Sequence, residues 1–137
     1  KLKKQLTKGA AADVKSVRQE LLDKAERVNG SAIIVGELPE MPVEQIREAA
    51  DWLRTQAGSA AVCLGVVTEG KPMLIAAVTD DLIAKGVKAG DLIKSIVPAI
   101  DGRGGGKPNL AQAGGNKPEG LADALTAATA WVRERLG

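Results

Sequence analysis

Glycine, arginine and lysine crowd residues 101–115, Asp-Gly-Arg-Gly-Gly-Gly-Lys-Pro-Asn-Leu-Ala-Gln-Ala-Gly-Gly. Six of the chain's 16 glycines lie there. Glycine loses more backbone entropy on folding than any other residue, so such a cluster needs a physical reason. A flexible linker is one reason. A backbone that takes φ > 0 and lets a ligand approach closely is another, and the mixture of residues favours it. Gly104, Gly105 and Gly106 leave peptide N–H groups uncovered, and Arg103 and Lys107 set positive charge beside them. That combination makes a nest for a phosphate or another anion. Asn109, Gln112 and Lys117 extend the candidate surface along the same stretch. Leu110-Ala111-Gln112-Ala113 reads as a short strand, so the segment is not uniformly linker-like.

Other chemistry is scarce. Histidine is absent, which removes Ser-His-Asp and Cys-His arrangements and every His-containing metal site. The single cysteine removes thiolate zinc sites; Cys63 sits in the apolar run Ala61-Val62-Cys63-Leu64 and reads as a buried thiol. Gly65–Pro72 nearly matches a P-loop, but Pro72 stands where Ser or Thr would bind Mg²⁺, and the run spans a hairpin rather than a strand-to-helix turn. Asp80-Asp81 could pair for metal or acid–base work, although a helix cap is the favoured reading. There is no Phe or Tyr, and Trp52 and Trp131 fall in amphipathic helices. A nucleic-acid role would therefore rest on phosphates and backbone shape rather than aromatic stacking.

Charge is nearly balanced overall, at +2, but uneven along the chain. Residues 1–24 carry a local +4, with Lys1, Lys3, Lys4 and Lys8 at their start; residues 85–117 carry another +4, and residues 36–58 carry −3. A basic patch would attract a polyanion with an affinity that falls as salt rises. A mixed solvated surface is the alternative. No run approaches the ~20 apolar residues of a membrane span, and the basic start lacks the apolar core of a signal peptide. A lone buried cysteine fits a reducing, cytoplasmic setting. The chain starts at Lys rather than Met, as expected of a piece of something longer.

The elements that must position these residues follow from periodicity. Val14, Val17, Leu21, Ala25 and Val28 predict a helix over 13–29 with Asn29-Gly30 as its stop. It either folds back on the domain or continues a coiled coil. Residues 32–38 read as a buried strand, 42–57 as a helix, and 60–68 and 72–79 as strands joined at Glu69-Gly70-Lys71. A short helix to Lys85, another over 89–97, the Gly-rich loop 101–115 and a last helix over 118–136 complete the order. The 137 residues suit an N-terminal helical segment over 1–30 and a globular unit over 31–137. The fold class is α/β (α+β): a small mixed sheet of about four to five strands flanked by helices, preceded by an N-terminal helix.

Gly102 to Gly115 resembles the Gly-rich signature of the C-terminal domain of alanyl-tRNA synthetases, a relative of the DHH-associated domain of phosphoesterases. The Gly triplet, the basic residue, Pro108, the Ala111-Gln112 pair and the double Gly114-Gly115 occur in order. The flanking elements fit from about Ser31 to Gly137; the N-terminal helix fits less specifically. The resemblance implies a cytoplasmic tRNA-binding appendage for alanine-specific tRNA. It would recognise the outer corner of the L, where D- and T-loops meet, and help couple aminoacylation with editing. It implies Arg103, Gly104, Gly105, Gly106, Lys107, Asn109, Gln112 and Lys117, with Lys1, Lys3, Lys4 and Lys8, as the RNA-facing candidates. The other domains of a parent synthetase would be partners, with a weak homodimer through residues 1–29. No catalytic residue, cofactor or metal is expected in this chain: ATP, alanine and zinc belong elsewhere in such a parent. Without histidine the chain is neither the DHH catalytic core nor the zinc-dependent editing module. Two alternatives remain: the substrate-binding half of a DHH-type phosphoesterase, whose related motif faces the active site, and a protein-interaction module using the N-terminal helix.

Overall fold

Residues 60–78 form the centre of the molecule. In the computed structural model, which describes residues 14–28, 30–38 and 40–136, β3 (Ala60–Thr68) and β4 (Lys71–Val78) pair antiparallel along their whole length. Glu69 and Gly70 close the hairpin with φ of 54° and 78°, the two left-handed residues that match the twist of the strands. β3 is buried without interruption from Ala60 to Val66. Such a run belongs to a strand covered on both faces.

The sheet has six strands in the order β1-β2-β3-β4-β6-β5, one more than the sequence suggests. β2 (Ser31–Leu38) runs parallel to β3, and α2 (Val43–Ala57) makes the crossover between them. β6 (Leu110–Gly115) pairs with β4, and β5 (Gly102–Gly106) pairs with β6 at the edge. The opposite edge is β1 (Glu26–Val28). Successive side chains alternate between faces. Ile34, Leu64 and Ile75 meet Ile46 and Leu53 of α2, while Ile33, Cys63 and Leu74 meet the other layer. That layer holds α4 (Ala89–Ile96) and α5 (Leu121–Leu136), with 3-10 turns at Val97–Ile100 and Pro118–Gly120. α3 (Asp80–Ala84) links β4 to α4. The expected inward residues of α5, Leu121, Leu125, Ala128 and Val132, are all buried.

The N-terminal helix is shorter than its periodicity predicts. α1 (Val14–Asp23) ends before Ala25, and Glu26–Val28 turn instead into the strand β1. Ladder pairing with Ala32 and Ile33 and the Arg133–Glu26 ion pair reward the extended form there. Gly30, read as a helix stop, instead lies in the β1–β2 turn with φ 85°. α1 packs on α2 and β2: Leu21 covers Gly36, and the Arg18 guanidinium lies 4.3 Å from the ring centre of Trp52. The 101–115 loop is likewise corrected to a hairpin, with strands on both sides of a Pro108-Asn109 turn.

Candidate nucleic-acid interface

The glycines of β5 and β6 answer two demands. The first is close packing. A Cβ on Gly104 would run into Ala113 across the ladder, one on Gly106 would lie 2.8 Å from the Leu110 carbonyl, and one on Gly115 would strike the Ile100 carbonyl. The second is conformation: Gly105 and Gly106 hold φ of 153° and 158°, which side-chain-bearing residues rarely adopt. Held this way, the strand approaches α4 so closely that a Cβ on Gly90 would sit 2.9 Å from the Gly106 carbonyl.

The hairpin register sets what the edge offers. The Lys107 N–H donates to the Leu110 carbonyl at 3.0 Å, so Lys107 and Leu110 are a hydrogen-bonded pair. Such pairs alternate along an antiparallel ladder. Gly102, Gly104 and Gly106 therefore turn their backbone groups to the outer edge, where no further strand pairs among the described residues. Exposed Arg103 and Lys107 flank these amides, and neither side chain has an ion-pair or hydrogen-bond partner among the described residues. Edge amides with free guanidinium and ammonium heads can bind phosphate oxygens.

The other candidates divide. Asn109 is exposed in the hairpin turn, but its carbonyl accepts from Arg54 at 3.0 Å and from the Val78 N–H at 3.1 Å. The Gln112 amide oxygen is held by Arg47 of α2, at 3.1 Å from Nε and 2.5 Å from Nη2. Lys117 is exposed beyond β6, with its N–H donating to the Ile100 carbonyl at 3.0 Å. Lys1, Lys3, Lys4 and Lys8 lie outside the described residues. Sequence reasoning missed Lys94. It is exposed on α4, and its Cε lies 3.5 Å from where a Gly105 Cβ would be, so its stem runs alongside β5. The apolar face of α4 leaves Lys94 on the polar side, which is a legible signal; its meeting with β5 is not. Lys88 is also brought near, because the Ala89 N–H donates to the Pro108 carbonyl at 2.7 Å.

The polar groups around Asp81 and the lone thiol are structural. Asp81 accepts from Ser59 and from Thr79, the latter at 2.5 Å, and these bonds hold its carboxyl below the ordinary 3.8. Ser31 and Ser59 hydroxyls meet at 2.8 Å, so the network ties the start of α3 to β2 and β3. Asp81 is thus committed to holding the fold, but not as the expected cap: Thr79 stands at the N-cap of α3 without a side-chain cap hydrogen bond, and Asp81 lies in the first turn. Burial pushes the Cys63 thiol up to about 12, leaving it without thiolate reactivity. Among the described residues no cluster could hold a metal, and no helix is long and apolar enough to cross a membrane.

Comparison with known proteins places this geometry. The chain is 44% identical to an alanine–tRNA ligase of Lactiplantibacillus plantarum over 115 residues, 84% of this chain and 13% of that protein. It is 42% identical to the alanine–tRNA ligase of Dehalococcoides mccartyi over 126 residues, 92% of this chain and 14% of that one. The chain thus spans about one seventh of these relatives. Among solved structures, the C-Ala domain from Aquifex aeolicus alanyl-tRNA synthetase matches with a TM-score of 0.69 at 27% identity, covering 82% of this chain and 97% of that one. RecJ from Thermus thermophilus shares the fold alone, with a TM-score of 0.58 at 13% identity over 88% of this chain and 17% of that one. The DHHA1 domain family matches residues 30–134, which takes in strands β2 to β6, the whole glycine hairpin and most of α5, and the chain belongs to that family.

Proposed function

We propose that this DHHA1 domain is a tRNA-binding appendage of an alanine–tRNA ligase and docks on the outer corner of the tRNA through the β5–β6 hairpin. The observation that carries this reading is the edge strand Gly102–Gly106, whose outward backbone groups lie beside the exposed cations Arg103 and Lys107. Phosphates of a folded RNA fit that set, and Lys94 widens it. Binding of this kind releases counterions and weakens steeply as salt rises. The chain has no histidine and one buried cysteine, so its contribution is positioning: charging and editing belong to other domains of the parent, which are its partners within the same protein. Residues 1–29 would add at most a weak homodimer contact, since Val17, Leu21 and Leu22 of α1 already pack on the domain.

Mobility shift with whole alanine tRNA against its acceptor minihelix tests the reading. Whole tRNA should bind at least tenfold more tightly at matched salt. Equal affinity for the two RNAs contradicts corner recognition.

A further inference from the structure

At the end of the hairpin away from the Pro108-Asn109 turn, the sheet opens into a groove of about 490 Å³. That volume falls in the range of small-ligand sites. Its floor is the row Met73, Gly114 and Arg103, paired across β4, β6 and β5, on the face of the sheet that carries α2. Lys71, Asp101 and Asn116 also line it, and these three and Arg103 are all exposed. None of these four side chains has an ion-pair or hydrogen-bond partner among the described residues.

Gly114 differs from the other glycines of the hairpin. Its φ is not positive, and a Cβ there would meet nothing nearer than the Pro72 carbonyl at 3.9 Å. Neither the backbone nor the packing requires glycine at 114. A larger residue would stabilise a strand by restricting the unfolded chain. What glycine supplies is a bare peptide surface open to the groove, where a flat ring can lie on the backbone.

We infer that this groove takes one unstacked nucleotide of the bound RNA, which names the subsite of the surface assigned above and rests on that assignment. The base lies on the Gly114 and Gly115 peptides. Lys71 and Arg103 bind its flanking phosphates. Asp101 and Asn116 accept from a ribose hydroxyl or from amino groups on the base edge. The carboxylate sets the ligand class: two cations alone would fit any anion, whereas cations beside an open acceptor fit a ligand that presents phosphate and N–H or O–H donors together. Loop nucleotides of a folded RNA present both.

Gly114→Leu fills the groove without touching the core. The expected result is an unchanged melting temperature with at least tenfold weaker binding of whole tRNA. Gly114→Leu binding tRNA as the wild type does would overturn the nucleotide subsite. A wild-type chain that fails to shift tRNA removes the RNA assignment itself, and the subsite with it. Should the leucine variant melt early, Gly114→Cys gives an independent reading, because the buried Cys63 thiol stays silent. Alkylation of the introduced thiol should slow at least tenfold when the tRNA is bound. An unchanged rate in the RNA-bound complex, or equal protection by micromolar 5′-mononucleotide, contradicts the assignment.

Discussion

Two antiparallel hairpins lie side by side in one sheet and are built from opposite materials. β3–β4 is mostly Ala, Val, Leu and Ile, covered on both faces; in β5–β6 only Ala111 and Ala113 are buried. The first holds its shape through its own side chains. The second has few to use, and its shape is set by close backbone packing: Ala113 against Gly104 within the hairpin, and, from outside it, Gly90 against the Gly106 carbonyl and Ile100 against Gly115. Apolar burial makes a scaffold, and a strand with little side chain placed on that scaffold leaves its backbone and two cations to meet a ligand.

The largest effect should come from the scaffold. Leu74 is fully buried, and Leu74→Ala should cost about 2–5 kcal/mol of stability. Below its lowered melting temperature, seen by calorimetry, the variant should still bind tRNA. Loss of RNA binding in a folded Leu74→Ala protein would break the separation between the two hairpins. Gly105→Val comes next, since a β-branched residue at φ 153° should cost about 1–3 kcal/mol. Here stability and RNA binding should fall together, because strain in β5 disturbs the edge amides and the neighbouring cations at once. Normal stability with lost binding would show that the backbone tolerates a side chain there and that the residue acts only by access.

A smaller effect sharpens the scaffold side. Asp81 titrates below its ordinary range because Ser59 and Thr79 hydrogen-bond the carboxylate. In acid the unfolded chain takes up that proton first, so the contribution is complete above the ordinary pKa and fades as pH falls through the depressed folded value. Asp81 is exposed, so the contribution should stay under about 1 kcal/mol. Urea unfolding at pH 7 and pH 3 should show a smaller acid-induced loss for Asp81→Asn than for the wild type. An identical loss would mean that the network does not hold α3.

The contrast also explains what the sequence discloses. β3, β4, α2 and α5 are legible because each carries its own signal: apolar runs, a Glu69-Gly70 turn, and inward residues at helical spacing. β5 is not, because glycine has no strand propensity and the strand exists only through its pairing with β6. The same non-local logic misleads at the N-terminus. Ala25 and Val28 continue a helical spacing, yet pairing of Glu26–Val28 with β2 takes them out of the helix. At the candidate site, the chemistry of Arg103 and Lys107 is legible from type and neighbours. The tie between Arg47 and Gln112 and the passage of Lys94 beside Gly105 depend on how distant elements stack, which one sequence does not encode locally.

The most direct test of the RNA surface is a salt titration of tRNA binding by the Arg103→Ala, Lys107→Ala double variant, with its thermal melt alongside. Both side chains are exposed and have no partner among the described residues, so stability should stay within about 0.5 kcal/mol of the wild type. Binding should weaken, and the slope of log affinity against log salt should flatten by about one unit for each lost phosphate contact, roughly two in all. Wild-type affinity and slope in a fully folded double variant would contradict the claim that the glycine hairpin is the RNA surface.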